Sequence, residues 1–467
     1  MMVSRFSRHL HRKRAAGMKK NDIIQLHIAR HTHDGQGIAH LPDGRVCFVS
    51  GALAGEDCAV KLIKLGKRAA WGLAVRRSAD APERIQPDCP YFPKCGGCQL
   101  RHMSYEAELA AKKQHISDVL HRIGGFAQTD FVILGANHTN SYRNKAIFPV
   151  GGTAEAPQIG FYRSRSHQIV DASFCLLQHP AAALVRQVVL AWMTAHAVAP
   201  YDERSRHGLL RHLLVRTNQS GEVLVCLLVN GRRLPHADTL CAALRESVPR
   251  LKGVVFGQNT RHDNVILGER FETLWGDDAL TETLCGLTYR IGIDAFFQIN
   301  HAQTERLYAL VADYAALTGG ETLLDLYCGI GSIGLSMADR AARLIGVEVV
   351  ETAVRNAAEN AAANGIANAE FFCGDAGEIA ESLAASGSRP DVIVFDPPRK
   401  GLSLEAIDAA VSMQPGRMVY VSCDPATFAR DAKLLAERGY ALADLAAADL
   451  FPRTKHVECV GRFIHKL

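Results

Sequence analysis

The sequence has no uninterrupted apolar run of the ~18 residues that a membrane-spanning helix needs. Its start, MMVSRFSRHLHRKRAAGMKK, is basic but lacks the apolar core of a secretory signal. Together these absences predict a cytoplasmic protein. Internal repeats and low-complexity tracts are also missing, and no acid occurs in residues 1–20, which carry seven Lys/Arg. Against totals of 53 Lys/Arg and 48 Asp/Glu, that extension holds all of the +5 net charge and leaves a near-neutral body. Met18 is an alternative start that would remove most of the extension. What is plentiful is apolar side chain, 48% over 467 residues, enough for about two to four domains. Thirteen cysteines in a reducing compartment read as buried hydrophobes, metal ligands or nucleophiles rather than disulfides.

Residues 21–80 alternate with period two between Gly, Pro and Asp turns, which predicts a small five-stranded β-barrel of the oligonucleotide-binding (OB) type. An SH3-like barrel fits the pattern equally. An acid-free basic stretch, Lys61 to Arg77, and a cluster of Arg143, Lys145, Arg163 and Arg165 suit contact with phosphates. The Pro-rich PERIQPDCPYFP marks a boundary, and residues 81–290 read as a separate α+β region. From 291 to 467 helices alternate strictly with short buried strands, the signature of a parallel, doubly wound α/β sheet.

Within that last region, Leu323-Leu-Asp-Leu-Tyr327-Cys-Gly329-Ile-Gly331-Ser332 is a strand ending in a Gly turn that opens a helix. Such a turn lets a nucleoside approach the backbone closely. The third glycine of the dinucleotide fingerprint is absent, which disfavours a pyrophosphate. Asp325, Glu348, Asp375 and Asp396 fall at the ends of successive strands. Singly, each reads as a helix cap or solvated end. As a set, without Lys or Ser/Thr in a phosphate-binding loop, they suit a cationic, hydroxyl-rich ligand such as S-adenosylmethionine.

After Asp396 comes Pro-Pro-Arg399, where amino-group methyltransferases typically carry an aromatic residue. Another means of activating the acceptor is therefore needed. Cys423, at the end of the next strand, offers one: a thiolate adding to carbon 6 of a uracil makes carbon 5 nucleophilic. Glu458, flanked by Val457 and Cys459, is the candidate base for the carbon-5 hydrogen. Alone, a strand-end cysteine is usually a core residue; its place one strand after Asp-Pro-Pro-Arg favours the nucleophile.

Cys89, Cys95 and Cys98 place three thiols within ten residues. Zinc would want a fourth ligand, for which His102 is available, and an iron–sulfur cluster would want a fourth cysteine. The spacing does not choose between them.

The residues quoted resemble RNA 5-methyluridine methyltransferases of the TRAM-containing, iron–sulfur type that act on 23S ribosomal RNA, over about residues 22–467. Cys89-x5-Cys95-x2-Cys98 with the distant Cys175 is similar to that family's four-cysteine motif, and implies a [4Fe–4S] cluster in the central α+β domain. Phe296-Phe-Gln298-Ile-Asn300 resembles a segment whose glutamine contacts the cofactor. Val421-Ser-Cys423-Asp-Pro resembles the nucleophile motif, with Asp424 where Asn is commoner. The resemblance implies an N-terminal TRAM barrel of OB-like form, Cys423 and Glu458 as nucleophile and base, and a Rossmann-like C-terminal methyltransferase domain. It also implies Gln298, Tyr327, Gly329, Glu348, Asp396 and, more weakly, Asp375 as contacts to S-adenosylmethionine. Residues 101–125 are expected to pack on the catalytic domain. The expected partner is 23S ribosomal RNA, with no membrane and no DNA, and the working unit a monomer. Two rivals remain: a tRNA uracil-5 methyltransferase, disfavoured because the usual bacterial tRNA enzyme lacks barrel and cluster, and a non-catalytic iron–sulfur RNA-binding protein.

Overall fold

The computed structural model describes residues 17–127, 130–268 and 270–466, so the basic extension 1–20 falls largely outside the described residues. These divide into two compact units. One runs to Asp88 and takes in Gln99–Ala111; the other consists of Cys89–Cys98 and the chain from Lys112 onward.

The first unit is a six-stranded sheet of β1 (Ile23–His27), β2 (Arg30–His31), β3 (Gly37–His40), β4 (Val46–Ser50), β5 (Asp57–Leu65) and β6 (Ala69–Arg77). Its order is β1-β5-β6-β4-β3-β2. It has one strand more than expected, because the Gly-rich stretch that reads as a turn pairs Arg30 with Ile38 and His31 with Gly37. Alternation decides the faces: Cys47 and Val49 join Leu26, Ile28, Val60 and Leu62 in the core, whereas Phe48 points outward. There it lies 6.0 Å from Trp71, and Lys64 Nζ sits 5.0 Å above the Trp71 ring. The ammonium over the indole is a cation–π contact on the outer face of the sheet.

Helix α1 (Tyr105–Val119) begins in the first unit and ends in the second. In the second unit, β7 (Val132–Leu134) is followed by β8 (Lys145–Gly152), β9 (Pro157–Ile159) and a small pair, β10 (Phe161–Tyr162) and β11 (Ile169–Val170). Next come α2 (Ala181–Ala195), β12 (Leu210–Thr217), β13 (Val223–Val229), α3 (Ala237–Ser247), β14 (Leu251–Gln258) and β15 (Arg270–Gly276). They build a sheet of order β15-β14-β13-β12-β8-β9. On one face Val185, Val189 and Leu240 from the helices pack against Phe148, Leu213 and Val225; on the other Leu214, Leu224 and Cys226 form a smaller core with Leu280 and Ile293.

The remaining strands are β16 (Ala279–Leu284), β17 (Leu287–Gly292), β18 (Thr322–Leu326), β19 (Arg343–Glu348), β20 (Ala369–Cys373), β21 (Val392–Phe395), β22 (Arg417–Ser422), β23 (Tyr440–Ala448) and β24 (Glu458–His465). Between them run α4 (His301–Ala315), α5 (Ser332–Leu335), α6 (Glu351–Ala363), α7 (Ala376–Ala385), α8 (Leu404–Ser412) and α9 (Pro425–Glu437). The large sheet has the order β20-β19-β18-β21-β22-β24-β23-β7. Its first five strands are parallel, as the alternation predicts. The last three depart from that pattern: β24 runs antiparallel to both β22 and β23, and β7 adds to the edge. The reason is local, since no helix separates β23 from β24 and a parallel pair requires a long crossover. Ile116, Leu120 and Phe131 join the same core as Phe395, Tyr420 and Phe428. The chain N-terminal to the sheet thus contributes to its packing.

Candidate active site

Both glycines of the first turn have the left-handed φ the sequence calls for, +57° at Gly329 and +81° at Gly331. A Cβ added at Gly329 would meet nothing within 4 Å, so the turn opens onto free space. Tyr327 also takes a positive φ, +69°, a conformation that a non-glycine residue adopts only where its surroundings enforce it. Glu348, at the end of the neighbouring strand β19, accepts hydrogen bonds from the backbone N–H groups of Gly329 (3.1 Å) and Val350 (2.9 Å). Its carboxylate is fixed on the rim of that space.

Asp325 lies beneath the turn. One oxygen accepts the Gly334 N–H at 2.8 Å, and the other, Oδ1, is buried without a partner. Burial, with Asp396 and Glu348 nearby, pushes its carboxyl up to about 7. Burial likewise pushes Asp396 up to about 7. Gln298 is buried, and its backbone carbonyl accepts from Asn144 Nδ2 at 2.9 Å. The open turn, oriented Glu348 and orphaned Asp325 oxygen fit a polar, partly cationic ligand without phosphate. Asp375 stands apart: it is exposed and caps α7, accepting from Gly377 N at 2.8 Å and Glu378 N at 3.4 Å. That is the helix-cap role a strand-end acid often has.

Cys423 and Glu458 are brought together by sheet register. The antiparallel ladder between β22 and β24 pairs Val421 with Val460 and Ser422 with Cys459. The next residue after that pair, Cys423, is carried off the end of β22 toward Glu458, which acts on its thiol. Burial and the facing Glu458 push the Cys423 thiol up to about 11, while the Arg399 side chain hydrogen-bonds to it and pulls the other way. Burial and then Asp396 push Glu458 up to about 8. Arg399 Nη2 also lies 3.3 Å from His456 Nδ1. Burial and surrounding cations push His456 down to about 4, which keeps its imidazole neutral and able to accept. Asp424, the departure from the commoner Asn, caps α9 through Ala426 N (3.0 Å) and Thr427 N (3.1 Å). Either residue serves that purpose.

Sequence reasoning missed the residues that hold the loop in front of Glu458. Lys112 and Asp449 form a buried ion pair at 2.8 Å. Asn300 donates to the Leu450 carbonyl (3.0 Å), Gln303 to that of Asp449 (3.1 Å) and the Tyr142 hydroxyl to that of Pro452 (3.0 Å). No local pattern announces these partners, which are up to 337 residues apart.

All thirteen cysteines are free thiols. Cys89, Cys95 and Cys175 interact electrostatically with one another, and burial pushes both Cys95 and Cys175 up. Cys98 acts on Tyr142. The backbone N–H of Gly97 lies 3.4 Å from the Cys95 sulfur, and those of Leu177 and Gln178 donate to the Cys175 sulfur. Among the described residues no three His, Cys, Asp or Glu side chains converge on the position of a single metal ion. His102, the alternative zinc ligand, is buried within the first unit.

Residues 104–466 match the family described as tRNA (uracil-5-)-methyltransferase. The chain belongs to that family. The methyltransferase is 40% identical to an uncharacterized RNA methyltransferase of Halalkalibacterium halodurans, over 96% of this chain and 98% of the relative. It is 39% identical to one of Staphylococcus aureus, over 95% and 98%. Among solved structures it is similar to the Pyrococcus abyssi tRNA (uracil-54, C5)-methyltransferase in complex with S-adenosyl-L-homocysteine. The identity there is 26% and the TM-score 0.76, covering 94% of this chain and 99% of that one. The methyltransferase is therefore an S-adenosylmethionine-dependent enzyme acting on uracil in RNA, not the non-catalytic binding protein its sequence also allowed. None of its described helices is long and apolar enough to cross a membrane.

Proposed function

We propose that the enzyme methylates carbon 5 of a uridine in 23S ribosomal RNA through a covalent adduct between Cys423 and carbon 6. The observation that carries this reading is the approach of Cys423 and Glu458 at the ends of β22 and β24, with Arg399 on the thiol.

S-adenosylmethionine supplies a methyl group on a sulfonium. Gln298, Tyr327, Gly329, Glu348 and Asp396 line its place, and Asp375, which caps a helix, contributes through position alone. The protein's own residues do the rest. Arg399 favours the Cys423 thiolate, whose proton passes to solvent; the thiolate adds to carbon 6 of the extruded base and places electron density on carbon 5. Carbon 5 takes the methyl group; Glu458 then removes the carbon-5 hydrogen, the carbon 5–carbon 6 double bond re-forms, and Cys423 leaves as thiolate. Cys89, Cys95, Cys98 and Cys175 are the residues that would hold a [4Fe–4S] cluster. Partly buried thiols with backbone N–H donors suit an anionic thiolate-bound group. Its role is structural, since no step requires an electron.

Support for ribosomal RNA comes from the four-cysteine motif and the N-terminal β-sheet unit. A second reading, tRNA, is favoured by the Pyrococcus tRNA enzyme, whose match covers 94% of this chain and so takes in much of the barrel. A barrel therefore does not by itself exclude tRNA. Incubating the protein and S-adenosylmethionine with unmodified 23S ribosomal RNA or tRNA, followed by mass spectrometry of the digests, tests both. A uridine fragment of ribosomal RNA heavier by one methylene is expected. A gain in tRNA alone would replace the substrate and keep the chemistry.

A further inference from the structure

Three cations meet at the end of the central sheet. Lys145 on β8 stands directly opposite Arg216 on β12 in the antiparallel register, and Arg143, two residues before Lys145, acts on the Lys145 ammonium. Lys145 and Arg216 lie on the face of Leu214 and Ile147, away from the helices α2 and α3. Like charges opposed across a ladder repel, and a buried guanidinium without a counter-charge is costly. Arg216 is only 2% exposed. Its Nη2 donates to the Ala295 carbonyl at 2.6 Å, and its Nε has no partner. The buried Nε of Arg143 is also unpartnered.

Among the described residues none of the three is paired with a carboxylate. The acid that acts on Arg216 is the exposed Asp294, and Arg143 also faces the Cys175 thiol. Burial, and then the facing Arg216 and Arg143, push the Lys145 ammonium down to about 8. Such a cluster has an unmet need for an anion.

Its position says which anion. Between Arg143 and Lys145, Asn144 accepts the Thr217 N–H (2.8 Å), donates its own N–H to Ile299 (2.9 Å) and holds the Gln298 carbonyl. Arg143 acts on His456, which in turn contacts Arg399 beside Cys423. The cations therefore border the catalytic cleft. The amino-acid end of S-adenosylmethionine carries an ammonium beside its carboxylate, which three cations would repel. A phosphodiester brings one negative charge and no cation.

We propose that Lys145, Arg216 and Arg143 form a phosphate subsite that grips the RNA backbone next to the extruded uridine. Half-buried Lys145 makes the contact, and Arg216 beneath it supplies a fixed positive field. The proposal rests on the RNA-methylating reading above and adds to it the place where the strand is held.

Lys145→Met keeps the alkyl stem and removes the charge. Binding of an unmodified 23S ribosomal RNA or tRNA transcript, whichever the wild type methylates, is measured against salt for the wild type, Lys145→Met and Lys145→Arg. S-adenosylhomocysteine affinity is measured alongside. The expected result is weaker RNA binding by Lys145→Met, with a salt slope smaller by about one. Lys145→Arg should restore both, and S-adenosylhomocysteine should bind all three proteins equally. An unchanged RNA affinity and slope in folded Lys145→Met would overturn the proposal, as would an equal loss of S-adenosylhomocysteine affinity. Failure of the functional reading is separate: the wild type would then methylate neither RNA.

Discussion

Cys423 and Glu458 are neighbours because Ser422 pairs with Cys459. The antiparallel return of β24 beside β22 carries a carboxyl across 35 residues of sequence toward a thiol, which burial and that carboxyl push up. Cys423 at about 11 and Glu458 at about 8 are both neutral in the free protein at pH 7. The methylation rate should accordingly rise with pH from about 7 upward, as Glu458 near 8 and then Cys423 near 11 give up their protons. A profile of kcat/KM against pH checks this, and a rate flat from pH 6 to about 9 would contradict it.

Raised carboxyls also affect stability. Glu458 binds its proton more tightly in the fold than in the unfolded chain, so its contribution is full below the ordinary carboxylate range. It is lost as pH climbs toward about 8. Glu458→Gln removes that dependence. Relative to the wild type the variant should gain stability steadily between about pH 4.5 and 8, read by denaturant unfolding at several pH values.

Replacing Cys423 with Ala should lower methylation by about 10⁴-fold or more while leaving RNA and S-adenosylhomocysteine binding in place. Equal loss of RNA binding would mean that the thiol holds the fold or the RNA rather than attacking the base.

The Lys112–Asp449 pair is buried on both sides. Lys112→Met strands the Asp449 carboxylate and should cost about 3–5 kcal/mol in unfolding experiments. Adding Asp449→Leu should recover much of that loss. Turnover should still suffer in the double variant, because the carboxylate also receives the Phe451 N–H of the loop that leads to Glu458.

Purified without oxygen, the protein should carry iron and acid-labile sulfide in equal amounts, and Cys175→Ser should lose both. Zinc in place of iron would contradict the cluster assignment.

Period and motif carried the sequence reading where the determinants are local. Leu323–Gly331 announced a strand and a tight turn, and the five parallel strands followed from buried runs alternating with helices. Non-local features did not show. The strands β2 and β3 are too short to show a period, the reversal of β24 depends on a missing helix, and the Lys112, Tyr142 and Asn300 contacts join distant segments. Asp375, a strand-end acid, also caps α7, a role its position alone did not announce. Arg399 was visible as an oddity in Asp-Pro-Pro-Arg, but its contact with the Cys423 thiol needed the fold.

The covalent step can be read directly. RNA carrying 5-fluorouridine at the methylated position offers Glu458 no hydrogen to remove, so an adduct that has taken the methyl group cannot eliminate. Mass spectrometry of the denatured reaction should find the RNA attached to the peptide containing Cys423, and nothing attached in Cys423→Ala. Methylation of ordinary RNA by a wild type that yields no such adduct would contradict the account.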